Sequence, residues 1–139
     1  MLRVLIAVDG SASSLRAVKY VVAEAVLSKK PPELHVLNVQ RAFPGTVRGV
    51  HSEAVRFHRE QGMKVLGKAC KRLEAAGLKY VCHVGVGDSG EVIARFVRDK
   101  KIRKVVMGTR GLGRVANMLL GSVANKVLHM VDVPVLLVK

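Results

Sequence analysis

The chain has 139 residues, half of them hydrophobic, which suits one domain over 1–139 and leaves no room for a second core. Twenty-four lysines and arginines against ten acids give a formal charge of +14, a balance that draws polyanions. Yet Tyr20, Phe43, Phe57, Tyr80 and Phe96 do not interleave with the basic residues as a base-stacking platform would, so nucleic acid is not the favoured partner.

The first strand is expected over 3–8, a nearly continuous apolar run that suits burial on both faces of a parallel sheet. It is too short for a signal-peptide core, and no run nears the roughly 20 apolar residues that span a bilayer, so a soluble, cytoplasmic protein is expected. The strand ends at Asp9-Gly10. Ser11, Ser13 and Ser14 are cap candidates for a helix with the stripe Leu15, Val18, Val22, Ala25 and Val26, closed by Lys29-Lys30-Pro31-Pro32. A second strand follows over 34–39, then a loop over 41–52 containing Pro44, Gly45 and Gly49. From about Glu53 the period turns helical, clearest at Leu66, Ala69, Cys70, Leu73 and Ala76, and it stops at Gly77. Arg56, Arg59, Lys64, Lys68, Lys71 and Arg72 fall mostly off that stripe, as a solvated face would. Cys70 and Cys82 form no CxxC pair and no disulfide framework, and are expected as buried reduced thiols; the scattered histidines complete no metal shell.

The third strand, 80–86, runs into Gly85-Val86-Gly87-Asp88-Ser89-Gly90, a GxGxxG string between a strand and a helix marked by Val92, Ile93, Phe96 and Val97. That context suits a dinucleotide fingerprint, but the next strand, 104–107, ends with no acid to hold a ribose. Asp88 with Glu91 reads instead as a capping box. After the fourth strand comes the glycine-rich stretch from Gly108 to Arg114, and then Gly121-Ser122 opens a last helix over 123–130. Asp132, Val133 and Pro134 break that helix, and a fifth strand covers 135–138.

Strands alternating with helices imply an α/β fold: a parallel sheet with helices on both faces and right-handed crossovers. Ligands of such sheets lie beyond the C-terminal strand ends, where the strand order reverses. Asp9 and the Gly108 stretch both stand at such ends. With the first and fourth strands as neighbours, they face each other across a crevice that suits an adenosine and its phosphates. Glycines admit backbone amides close to an anion, a helix start adds its positive dipole end, and Arg110 and Arg114 add charge. Asp9 can accept from ribose hydroxyls or help position Mg²⁺, although Asp before Gly also makes an ordinary turn.

The spacing Gly108, two residues, Gly111, nine residues, Gly121-Ser122 resembles the glycine motif of the universal stress proteins that bind adenine nucleotides. Val4-Leu5-Ile6-Ala7-Val8-Asp9-Gly10-Ser11 resembles their first strand and turn, and Val133-Pro134-Val135-Leu136-Leu137-Val138 their last strand, so the likeness covers the whole chain. It implies an open five-stranded parallel sheet in the order 3-2-1-4-5, of the adenine nucleotide alpha hydrolase-like kind. It also implies that Asp9 contacts the ribose, that the backbone around Val39 and Met107 lines the adenine, and that Gly108, Gly111, Gly121, Ser122 and Val123 hold the phosphates. Arg110 and Arg114 enter from charge, not from the motif. The implied ligand is ATP or another adenine nucleotide, with Mg²⁺ as a companion, and the implied role is a stress-response sensor or regulator. The likeness implies a homodimer through the last strand, residues 135–139, an apolar edge that a monomer would expose. The +14 charge departs from a family often acidic or near neutral. No Walker Lys follows a GxxxxGK string and Asp9 is the only carboxylate placed in the crevice, so ATP hydrolysis is expected to be slow at most. The alternative is an interaction protein with a vestigial pocket, whose basic surface binds a polyanion or an acidic partner.

Overall fold

Alternation along the strands sorts their side chains into two cores, one on each face of a single sheet. The structure, a computed structural model, describes residues 1–42, 51–110 and 120–139. Strands β1 (Arg3–Ala7), β2 (Glu33–Gln40), β3 (Tyr80–Val86), β4 (Lys104–Gly108) and β5 (Val135–Val138) pair in parallel, in the order β3-β2-β1-β4-β5. On one face, Val4, Ile6, Leu34, Val36 and Val106 pack with Val18 and Val21 of α1 (Ala12–Leu27) and with Leu66, Ala69 and Leu73 of α2 (His51–Ala75). On the other, Leu5, Leu37, Val105 and Met107 pack with Ile93 and Val97 of α3 (Ser89–Asp99) and Ala124 and Val127 of α4 (Ser122–Met130). Burial on both faces is why β1 and β4 read as unbroken apolar runs.

The expected strand order and the helices on both faces are those observed. The element ends shift slightly. α1 stops at Leu27, before the two lysines, because the Ser28 hydroxyl accepts from the Lys30 N–H at 3.2 Å and so offers the backbone a turn in place of another helical residue. Most of the expected 41–52 loop lies outside the described residues.

Ala7, the last residue of β1, pairs in register with Leu37 on one side and Met107 on the other, so β1 leaves the sheet between its neighbours while β4 runs on to Gly108 and β2 to Gln40. Gly108 is required there. A Cβ on it would stand 2.8 Å from the backbone carbonyl carbon of Ser13, so any larger residue would push the first turn of α1 off the end of β4. The same turn is tied to β5, since Ser13 Oγ donates to the Val138 carbonyl at 3.1 Å and Thr109 N–H donates to it at 3.0 Å.

Candidate functional site

At the C-terminal ends of β1, β2 and β4 lies a cavity of about 430 Å³. β1 runs into it at Asp9, which is half-buried and whose Oδ1 accepts from the Ser11 N–H at 2.8 Å. Gly10 between them takes a φ of +86°, which glycine adopts without strain. The turn delivers Ser11 as the N-cap of α1, its Oγ accepting from the Ser14 N–H at 3.1 Å. Asp9 therefore makes the turn expected of an Asp-Gly pair, and its second carboxylate oxygen has no hydrogen-bond partner among the described residues.

On the facing wall, Gly121 N–H donates to the Thr109 carbonyl at 2.5 Å, which brings the two ends of the glycine-rich stretch together and starts α4 beside the end of β4. The Ser11 hydroxyl donates to the Arg110 carbonyl at 3.4 Å, tying the start of that stretch to α1. Gly121 is the N-cap of α4, and among the described residues no side chain caps the helix. Its first turn borders the cavity through Ser122, Val123 and Ala124. A helix start left open beside a cavity offers amide donors and a positive dipole end that an anion can satisfy.

Asp9, Val39, Met107, Gly108, Arg110, Gly121, Ser122 and Val123 all line this one cavity. Gly111 and Arg114 lie outside the described residues. The cavity is also lined by Ser14, Arg41, Ser89, Ile93 and Thr109, which sequence reasoning passed over. Arg41 follows the end of β2, so the strand-end rule that selects Asp9 also reaches it. Ser89 comes from the start of α3, inside the GxGxxG string that reads as a capping box rather than as part of this site. Behind the cavity, buried Asn38 donates from Nδ2 to the Val8 carbonyl at 2.8 Å, and Gln40 Nε2 donates to Asn38 Oδ1 at 2.6 Å, locking the ends of β1 and β2.

The GxGxxG string serves a different purpose. Asp88 Oδ1 accepts from the Glu91 N–H at 3.0 Å and from Lys126 Nζ at 2.9 Å, which caps α3 and ties it to α4. The Glu91 amide first, and the Lys126 ammonium second, hold the Asp88 carboxyl below the usual carboxylate range. Only half of the capping box forms, because the Glu91 carboxylate turns to Lys126 Nζ at 3.5 Å.

A larger hollow of about 570 Å³ lies at the outer edge of the sheet, beside β3, bordered by Met63, His83 and Phe96. It stands away from the β1–β4 reversal, and the sequence-predicted residues converge on the smaller cavity. Among the described residues, no group of three or more His, Cys, Asp or Glu side chains is placed to hold a metal, and no helix is long and apolar enough to cross a membrane. The six basic residues singled out on α2 are all exposed.

The sheet order and the cavity at its reversal define an open, doubly covered α/β protein of the kind that takes ligands beyond its strand ends. Within that class, residues 1–139 match the model of the universal stress protein family, and the chain belongs to that family. It is similar to the universal stress protein Slr1230 of Synechocystis, at 31% identity over 134 residues, which cover 96% of this chain and 41% of that protein. It is 30% identical over 138 residues to the universal stress protein MJ0531 of Methanocaldococcus jannaschii, covering 99% of this chain and 81% of the relative. The chain thus spans about two fifths of one relative and most of the other. A universal stress protein solved in complex with cAMP superposes with a TM-score of 0.73 at 26% identity, over 99% of this chain and 97% of that one. An Arabidopsis thaliana family protein with AMP bound gives 0.72 at 22% identity, over 100% and 92% of the two chains. The Archaeoglobus fulgidus protein in complex with dAMP gives 0.70 at 22%, over 100% and 98%. These last two speak to the fold.

Proposed function

We propose that the cavity at the β1–β4 reversal binds an adenine nucleotide, ATP or a close relative, and that the chain acts in the cytoplasm as a nucleotide-dependent stress-response sensor or regulator. The observation that carries this reading is the meeting of Asp9 with the open start of α4 across one cavity, whose 430 Å³ falls in the range of small-ligand sites. Val39 and Met107 offer an apolar wall to an adenine. Asp9 accepts from ribose hydroxyls through its unused oxygen. The phosphates take the first amides of α4 and the Ser122 hydroxyl, with Arg110 and Arg41 supplying charge. Gly111 and Arg114 belong to the same proposed phosphate loop. The cAMP held by a 26% identical family protein supports the ligand class. Among the described lining residues Asp9 is the only carboxylate, so Mg²⁺ would arrive with the phosphates and lean on that one side chain. With no second acid or His beside it, we read binding rather than turnover as the activity, with hydrolysis slow at most.

β5 is the edge of the sheet, with β4 on one side and no strand on the other among the described residues, and its four residues are half-buried. Pairing with a second copy along 135–139 would cover that edge. The competing reading, a polyanion binder with a vestigial pocket, draws on the exposed basic face of α2, which Glu53, Glu60 and Glu74 interrupt. Isothermal titration of the whole chain with ATP and Mg²⁺ tests the proposal. Saturable heat is expected below millimolar nucleotide; its absence at millimolar nucleotide, with a salt-sensitive mobility shift on nucleic acid, would transfer the function to the basic face.

A further inference from the structure

The two cysteines, twelve positions apart in the chain, are not separate thiols in the fold. Cys70 Sγ of α2 lies 2.6 Å from Cys82 Sγ of β3, within about 0.6 Å of the roughly 2.0 Å of a sulfur–sulfur bond. Both sulfurs sit at the rim of the core between α2 and the sheet, and both residues are half-buried. β3 is the other edge of the sheet, with β2 on one side only among the described residues, so a small solute can approach the pair from outside. The frame around the pair is held: Cys82 is in register with Val36 of β2, and the Tyr80 hydroxyl donates to the Glu74 carboxylate, joining the same helix to the same strand on the solvent side.

We propose that Cys70 and Cys82 are a reversible oxidation site, closing to an intramolecular disulfide when the protein meets hydrogen peroxide and reopening in a dithiol. The thiolate of Cys70 attacks one peroxide oxygen; the sulfur–oxygen bond forms as the oxygen–oxygen bond breaks, leaving Cys70 as a sulfenic acid and, after protonation, one water. Cys82 sulfur then attacks Cys70 sulfur, the new sulfur–sulfur bond replacing the sulfur–oxygen bond, and the departing hydroxide takes the Cys82 proton as a second water. Two thiols and one peroxide thus become one disulfide and two waters. Burial first, and the contact with Cys70 second, hold the Cys82 thiol above its ordinary range. That suits it to the second step, in which the target is already against it, rather than to meeting the oxidant. The closed bond pins α2 to the free edge of the sheet. It is independent of the nucleotide reading, since neither cysteine lines that cavity.

The test uses the reduced whole chain, treated with a small excess of hydrogen peroxide, alkylated, digested with trypsin and mapped by mass. Both titratable thiols are expected to disappear, the intact mass to fall by two hydrogen atoms, and a species joining residues 69–71 to residues 80–95 to appear, all reversed by dithiothreitol. Survival of both thiols, sulfinic acid at Cys70 beside a free Cys82, or linkage only between two chains would each overturn the proposal. In Cys82→Ser, with the resolving thiol gone, a dimedone-reactive sulfenic acid should persist at Cys70 that the unaltered chain does not accumulate; equal labelling of the two would also overturn it.

Discussion

Two helices of this protein follow a strand and a glycine-bearing sequence, and they start in opposite ways. α3 follows β3 through Gly87 and is closed by Asp88, which accepts the Glu91 amide and grips Lys126 of α4. α4 starts at Gly121, held to the Thr109 carbonyl, with no side-chain cap among the described residues and its first turn against the cavity. A carboxylate on the first helix already does what an incoming phosphate would do. The second helix keeps those donors for a ligand. The difference separates two glycine patterns that look alike as strings: one closes a structure and the other opens a site.

The comparison can be broken most sharply by giving α4 the kind of cap α3 has. Gly121 has φ −66° and ψ 157°, a conformation any residue adopts, so Gly121→Asp should fold and cap the helix. Its carboxylate would face the proposed phosphates, and repulsion of a few kcal/mol predicts a loss of nucleotide affinity of about a hundredfold or more by calorimetric titration. Unchanged affinity would show that the phosphates do not lie there. Asp9→Ala should weaken binding about tenfold, the effect of one charge-assisted hydrogen bond, and should also lower the unfolding midpoint, because the Ser11 amide loses its acceptor. Asp88→Ala should move only the second of these readouts. The midpoint falls as α3 loses its cap and Lys126 its partner, while nucleotide affinity stays where it was. If affinity falls as far as in Gly121→Asp, the contrast between the two helix starts is wrong.

The smallest expected effect concerns acid stability at the other end of the sheet. His35 Nε2 lies 2.8 Å from Glu33 Oε1 and its Nδ1 lies 2.9 Å from His83 Nε2, which joins the three side chains in one hydrogen-bonded row. Burial first, then electrostatic interaction with the neighbouring His35 and Lys100, holds His83 below its ordinary 6.5. The fold therefore favours the neutral ring. Its contribution is fully present above pH 6.5 and is lost as pH falls from there toward the lowered folded value. Glu33 and Asp88 are also held low, from 4.5 and 3.8, so their stabilisation is lost only in a lower window. Denaturant midpoints between pH 7 and 5 should thus slope downward, and His83→Gln should flatten that stretch while leaving the slope below it.

Much of the architecture was legible because its signals are local. A strand announces itself in a few neighbouring residues and a helix in a repeat of three or four, so β3 and β5 come out with their observed ends and Leu66, Ala69 and Leu73 as one buried stripe. Asp9 and Gly108 were legible for a related reason, since each ends a strand, and parallel sheets take ligands at strand ends. Arg41 obeys the same rule but sits at the head of a segment that reads as a loop, and so was passed over.

Other features exist only through neighbours that sequence spacing does not reveal. Ser89 reaches the cavity because α3 packs against α4, Asn38 locks the site because β2 lies beside β1, and Cys70 meets Cys82 because α2 runs back along β3. By itself the sequence determined the alternation of strands and helices, the two residue runs that end beside one another, and the family to which they point. The tertiary structure alone decided which helix start stays open to a ligand and which two thiols touch, because a cap or a contact depends on which side chain arrives from elsewhere in the chain, and periodicity is blind to that.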